Sequence, residues 1–178
     1  TATTEIYTLS LHGALPISAD LSNLTDGPLS VTATVTDTAG NPATANDTAV
    51  LDTSAGITVS LADVNAANAA AAPISGTTTG IEAGQTVTLV VSDADPATLN
   101  LTVTATINPD GSYSTTADLS NLSDGPLTVT ATVADTAGNV ATANATAALD
   151  TSAGITVSLP DVNAANATAA PISGTTTG

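Results

Sequence analysis

Residues 20–80 recur as residues 118–178 at a constant offset of 98, with 8 differences in the 61 aligned pairs. A tandem duplication this long and this faithful constrains the fold more than any local pattern, because both copies must satisfy one architecture. A period near 100 is too long for one coil of a solenoid and fits one β-sandwich domain per repeat. The register gives one complete unit over residues 53–150. Residues 19–52 read as the C-terminal part of a preceding unit, and residues 151–178 as the N-terminal part of a following one. A long tandem array is the expected parent.

The repeat stops short of the N-terminus, since residues 99–117 have no counterpart in residues 1–19. The opening run T-A-T-T-E-I-Y-T-L-S-L-H-G-A-L-P-I resembles a translated sequencing adapter, with Gly13 where the adapter frame has Asp. Residues 1–18 are therefore expected to be an artefact fused to a genuine reading frame, and are set aside from fold reasoning. That removes Glu5, Tyr7 and His12 from consideration. A real N-terminal strand is the alternative. Met is absent, position 1 included, so a fragment or a processed chain is expected.

Period-2 alternation runs through the complete unit. Leu127, Val129, Ala131 and Val133 alternate with Thr128, Thr130 and Thr132. Leu99, Leu101, Val103, Ala105 and Ile107 do the same against Asn100, Thr102, Thr104 and Thr106. Val and Thr are β-branched and suit a pleated surface. Clusters of Gly, Asn, Asp and Pro separate the runs. Seven strands are expected, over residues 57–61 (A), 73–79 (B), 86–92 (C), 99–107 (D), 112–119 (E), 127–134 (F) and 141–149 (G). Residues 63–72 are expected to form a short helical turn between A and B. The fold class is an all-β, immunoglobulin-like seven-stranded antiparallel β-sandwich in tandem array. An odd number of antiparallel strands puts the two linkers at opposite poles.

Composition narrows function. The chain has no Lys or Arg and 16 acidic residues, a formal charge of −16. Nothing in it neutralises a phosphate, which excludes binding nucleic acid through its backbone and holding an anionic membrane surface. With no Cys there is no disulfide framework, thiolate metal site or thiol nucleophile. With His12 set aside, no side chain ordinarily titrates near neutrality. The vocabulary of acid–base catalysis is nearly missing, and no enzyme is expected.

Five motifs mark the unit: G-I-E-A-G-Q-T-V-T from Gly80, I-N-P-D-G-S-Y-S from Ile107, L-S-D-G-P-L-T-V-T-A-T-V from Leu122, D-T-A-G-N from Asp135, and the linker L-D-T-S-A-G from Leu51 and Leu149. The unit resembles the bacterial immunoglobulin-like repeats of giant secreted adhesins, including the extender regions of RTX-type and biofilm-associated adhesins. The resemblance implies non-catalytic, calcium-rigidified stalks at the cell surface, projecting a ligand-binding tip after type I secretion. It also implies neighbouring repeats of the same chain as partners, host or matrix glycans and proteins contacted by other regions, and no membrane insertion in this segment.

The acids collect at the expected poles. One pole takes Asp52, Glu82, Asp110 and Asp135; the other takes Asp63, Asp93, Asp95, Asp124 and Asp150. Carboxylates crowded without cations invite Ca2+, which takes six to eight oxygen ligands in flexible geometry. A junction site of Asp52, Glu82 and Asp135 is expected, with Asp110 as a lesser member. A second cluster would use Asp93, Asp95 and Asp150, helped by Asp63. The competing reading is that Asp in turns bonds its own backbone, which better suits Asp110 and Asp124. Neither an EF-hand loop nor an RTX nonapeptide is present, and Mg2+ demands stricter geometry. Asn-x-Thr sequons such as those at Asn23, Asn100 and Asn144 are what an Asn- and Thr-rich chain produces by chance. T-x-T runs read as outward-facing strand threonine rather than an ice-binding lattice. Two function classes remain: a structural spacer, and an adhesive module that binds a glycan or a sister chain in biofilm formation. Near-identical copies favour the spacer. Asp93 and Asp95 as a hydrolase pair lack an aromatic platform for a sugar.

Overall fold

The computed structural model describes residues 5–8, 18–97 and 99–178. The expected adapter-derived segment lies mostly outside them. The chain divides into two compact units, Thr1–Ser54 and Ala55–Gly178.

The first unit is a three-stranded sheet, β1 (Glu5–Thr8), β2 (Gly27–Thr36) and β3 (Pro42–Leu51), in that order. β2 and β3 form an antiparallel hairpin running from Gly27↔Leu51 to Thr36↔Pro42. Its turn is built by Asp37, whose carboxylate accepts the amides of Ala39 (2.9 Å) and Asn41 (2.8 Å). β1 pairs with β2 in parallel over Val31–Thr34. Shifted by 98, these positions are part of the edge that the third strand of the complete repeat occupies antiparallel. The open edge thus takes a strand in the reverse direction. Edges with unpaired amides and carbonyls are templates of this kind.

The second unit holds β4 (Gly56–Ile57), β5 (Ser60–Leu61), β6 (Val64–Asn65), β7 (Ala72–Thr79), β8 (Thr86–Ser92), β9 (Leu101–Thr106), β10 (Ser112–Ala117), β11 (Gly125–Ala134) and β12 (Val140–Asp150). One sheet runs β10-β7-β4, with β5 also on β7; the other runs β6-β12-β11-β8-β9. Their inner faces form a single core. Ile74 and Tyr113 from the first sheet meet Val87, Leu89, Val91, Leu127, Val129 and Ala131 from the second, each at most 1 % exposed. The alternation read from the sequence is the alternation that is buried, and the architecture is an immunoglobulin-like β-sandwich. A 3₁₀ turn over Ala69–Ala71 supplies the short helical segment.

Three details depart from expectation. Strand A is not continuous: its ladder to β7 keeps one register through Gly56↔Thr79 and Leu61↔Ile74, but it is interrupted at Thr58 and Val59, where the Thr58 amide still donates to the Thr77 carbonyl (2.8 Å) while the Thr77 amide goes to the Thr58 hydroxyl (2.9 Å) instead of its carbonyl. The Tyr113 hydroxyl donates to the Thr58 carbonyl and diverts it. Gly76 makes room, since a Cβ there would stand 2.0 Å from the Thr58 oxygen and 2.5 Å from the Tyr113 hydroxyl. β6 then crosses to the other sheet and pairs parallel with the end of β12, Leu149↔Val64. Strand D starts at Leu101 on a sheet edge, so Leu99, expected to point inward, is 88 % exposed. Strand E ends at Ala117, and Leu119 is buried beyond it, its amide on the Ala69 carbonyl at 2.7 Å.

β13 (Gly154–Ser158) and β14 (Ser173–Thr177) repeat the β4–β7 pairing at the offset of 98, Gly154↔Thr177 matching Gly56↔Thr79.

Candidate functional site

Three turns meet at one end of the sandwich. The β7–β8 turn is tied to the β9–β10 turn by Gly84 N–H to Ile107 O (2.9 Å) and Ile107 N–H to Gln85 O (3.0 Å). β7 reaches the same turn through Thr78 N–H to Gly111 O (2.8 Å). The β11–β12 turn carries D-T-A-G-N, in which Gly138 sits at φ +97°, open to glycine at no steric cost. Its Asp135 is only 6 % exposed and is the one buried charged side chain among the described residues. Both its oxygens are used: Asn139 donates its backbone amide (2.8 Å) and its side-chain amide (2.7 Å). The side-chain amide is the larger cause holding the Asp135 carboxyl below the ordinary range, against the opposing effect of burial.

Glu82 comes from the β7–β8 turn to the same place. It accepts the Thr136 amide at 3.1 Å and the Thr136 hydroxyl. That hydroxyl holds the Glu82 carboxyl below its usual range, while the neighbouring Asp135 charge pushes it up. The structure thus brings two of the expected residues together around the first residues of one turn, each held ionised by its hydrogen bonds. Asp110 spends its carboxylate on its own turn, accepting the Ser112 amide (2.9 Å) and hydroxyl (2.6 Å). Asp52 belongs to the first unit, where it accepts the Ser54 amide at 3.4 Å.

At the opposite end each acid pins a different segment. Asp93 accepts the amides of Ser123 (2.7 Å) and Asp95 (3.1 Å), and Asp95 accepts the amide of Ala97 (2.9 Å). Asp63 accepts the Ala148 amide at 2.8 Å, across 85 residues of chain. Asp150 accepts the Ser152 amide at 3.3 Å and lines an open cleft with Asn65, Ala66 and Thr151.

The donors suit a hard divalent cation in kind, being all oxygen, but not yet in number. Among the described residues no three acidic or histidine side chains assemble. The Glu82–Asp135 pair offers two carboxylates, fewer than the six to eight oxygens that Ca2+ takes. No helix among the described residues is long and apolar enough to cross a membrane.

Sequence reasoning missed Asp124. It is not a local turn residue. It accepts the amide (2.9 Å) and hydroxyl (2.8 Å) of Thr151, at the start of the next linker. Asp26 does the same in the first unit, taking the Thr53 amide (3.1 Å), the Thr53 hydroxyl (2.7 Å) and the Ser54 hydroxyl (2.8 Å). The signal was available: S/T-D-G-P and the T-S of the linker occur as a pair, 27 residues apart, in both copies.

Comparison with protein-family profiles and with curated proteins returns no match. Solved structures do match. The tetra-tandem repeat in the extending region of a large adhesion protein is 38 % identical at a TM-score of 0.55, over 88 % of this chain and 40 % of that one. A bacterial immunoglobulin-like domain from the M. primoryensis ice-binding adhesin is 30 % identical over 55 % of this chain and 98 % of that one, at a TM-score of 0.41. A Ca2+-stabilized adhesin with which an Antarctic bacterium binds ice is 28 % identical over 85 % of this chain and 40 % of that one, at a TM-score of 0.43. The chain spans less than half the length of the first of these relatives. With a 98-residue repeat, an immunoglobulin-like sandwich and 38 % identity over 88 % of its length to such a repeat, the chain belongs to the immunoglobulin-like tandem repeats of large bacterial adhesins.

Proposed function

We propose that this chain is a section of a non-catalytic extender stalk of a cell-surface adhesin, stiffened by Ca2+ where repeats join. The Glu82–Asp135 pair carries the reading: two carboxylates meet beside a turn, in a chain with no Lys or Arg to neutralise them. Like charges this close repel, and an external divalent cation relieves the repulsion. Glu82 and Asp135 would supply oxygens from the sandwich, and Asp52 would supply one from the linker that enters it, with Asp110 a lesser contributor. Asp93, Asp95 and Asp150 would form a weaker site at the exit end, near Asp63. Likeness to an extending region supports the spacer role, and an extracellular, cell-surface location follows from that role. When bound, the cation supplies charge neutralisation and cross-linking. The chain's own residues hold the turns in place through Asn139 and Thr136.

Calorimetry of the full chain in EDTA and in millimolar Ca2+ tests this. A ligand that binds only the folded state raises the melting temperature with the logarithm of its concentration. The expected result is a rise in the transition of the complete repeat that Asp135→Ala abolishes. Equal melting temperatures in EDTA and Ca2+ would remove calcium from the account.

A further inference from the structure

We infer that Asp26 and Asp124 are positioning residues that latch the linker to the sandwich it leaves, without any metal. The inference rests on the stalk reading but concerns different atoms from the calcium ligands. The linker L-D-T-S-A-G is six residues long, enough by itself for a loose hinge. Its Leu51 and Leu149 are the last turns of the hairpin ladder, paired with Gly27 and Gly125. The aspartate that precedes that glycine stands beside the residues that leave the ladder. From there it takes the first linker threonine by both amide and hydroxyl, in each copy. It also takes the next serine's hydroxyl, which helps hold both carboxyls below their ordinary range.

The consequence is a count of free torsions. Thr53 and Ser54 are held by Asp26, and β4 begins at Gly56. Only Ala55 stands between, and it packs on the core of the following sandwich. At the other linker only Ala153 stands between Ser152 and the start of β13 at Gly154. The latch thus confines the hinge to one residue and its flanking bonds instead of the four (residues 52–55) or three (residues 151–153) that lie between the strands. Gly27 and Gly125 adopt φ +140° and +137°, where a side chain is strained. The Asp-Gly pair is then a unit: glycine turns the backbone, and aspartate collects the returning linker.

Amide hydrogen exchange and 15N relaxation on the full chain, in EDTA, test the latch. Thr53 and Thr151 amides are expected to be protected and as rigid as the neighbouring strand amides of β3 and β12. Asp124→Ala is expected to reduce protection at Thr151 by roughly tenfold or more while leaving Thr53 untouched, and Asp26→Ala to do the converse. Unchanged β11–β12 amides serve as the folding control, and Asp26→Ala answers the question if Asp124→Ala fails to fold. Mobile Thr53 and Thr151 amides in EDTA that become rigid only with Ca2+ would overturn the latch and leave the calcium reading standing. Rigid amides in EDTA, with a melting temperature that does not respond to Ca2+, would keep the latch and sink the calcium reading. Protection that survives both substitutions would also overturn it.

Discussion

The same sequence appears twice in this molecule, once covered and once uncovered. In the complete repeat Leu61, Val64 and Ile74 are 7 %, 3 % and 0 % exposed; their counterparts Leu159, Val162 and Ile172 are 59 %, 49 % and 70 % exposed. The pairing does not change: β13–β14 keeps the register of β4–β7, and β2–β3 keeps that of β11–β12. Register is therefore written locally, in alternation and turn chemistry, whereas burial is supplied by strands far away in the chain. Local pairing without burial contributes little stability, since a lone hairpin is marginal in water. The difference teaches where the stability of a repeat resides: in the non-local packing of β8 and β11 against β7 and β10.

The largest contrast should come from the core. Leu127→Ala is expected to destabilise the complete repeat by ~2–5 kcal/mol, and Leu29→Ala, the same position in the uncovered hairpin, by a small fraction of that. Denaturant unfolding measures both, and equal losses would mean that the two copies are covered alike. Next come the turn acids. Asp135 and Asp37 bond their Asn partners alike, at 2.8 Å and 2.7 Å against 2.8 Å and 2.9 Å, but Asp135 is buried and has Glu82 beside it. Asp135→Ala should lower the melting temperature by several degrees and erase its response to Ca2+, and Asp37→Ala should change neither. Matching responses in the two variants would show that Glu82 adds nothing.

Tyr113→Phe offers a finer probe. Tyr113 is 1 % exposed, its hydroxyl sits on the Thr58 carbonyl, and burial pushes its phenol up to about 12. Removing the hydroxyl leaves that carbonyl short of a partner and should cost about 1 kcal/mol. No loss on denaturation would mean that the break in strand A needs no tyrosine.

The smallest effect is acid sensitivity, which should be shared by both copies. Asp26, Asp37, Asp110, Asp124, Asp135 and Glu82 are all held below their ordinary carboxyl range by hydrogen bonds in the folded chain. The unfolded chain therefore binds protons first. Their stabilisation is complete above about pH 5 and is lost as pH falls through and below about 4. A melting-temperature profile that rises on acidification over that window would contradict these bonds.

Strand positions, turn positions and the sandwich were legible in the sequence because each depends on near neighbours. Thr at every second place of β11 and Gly-Asn after Asp135 announce themselves. The break in strand A was not legible, because it depends on Tyr113 and Gly76 arriving from elsewhere in the chain. Leu99 misled for a related reason: alternation reports a strand's faces, not where on a sheet edge the strand begins. At the site, strand order alone assigns Glu82 and Asp135 to one end, and the structure has both beside Thr136. Asp124 was misjudged because the S-D-G-P turn explains an aspartate without the linker that it holds.

On the function proposed above, bound calcium stiffens the joints between repeats. Small-angle X-ray scattering from four head-to-tail copies of residues 53–150 tests it directly. With millimolar Ca2+ the maximum dimension should lengthen toward that of a straight rod and the distance distribution should sharpen, both reverting in EDTA. Superimposable curves in the two buffers would contradict the account.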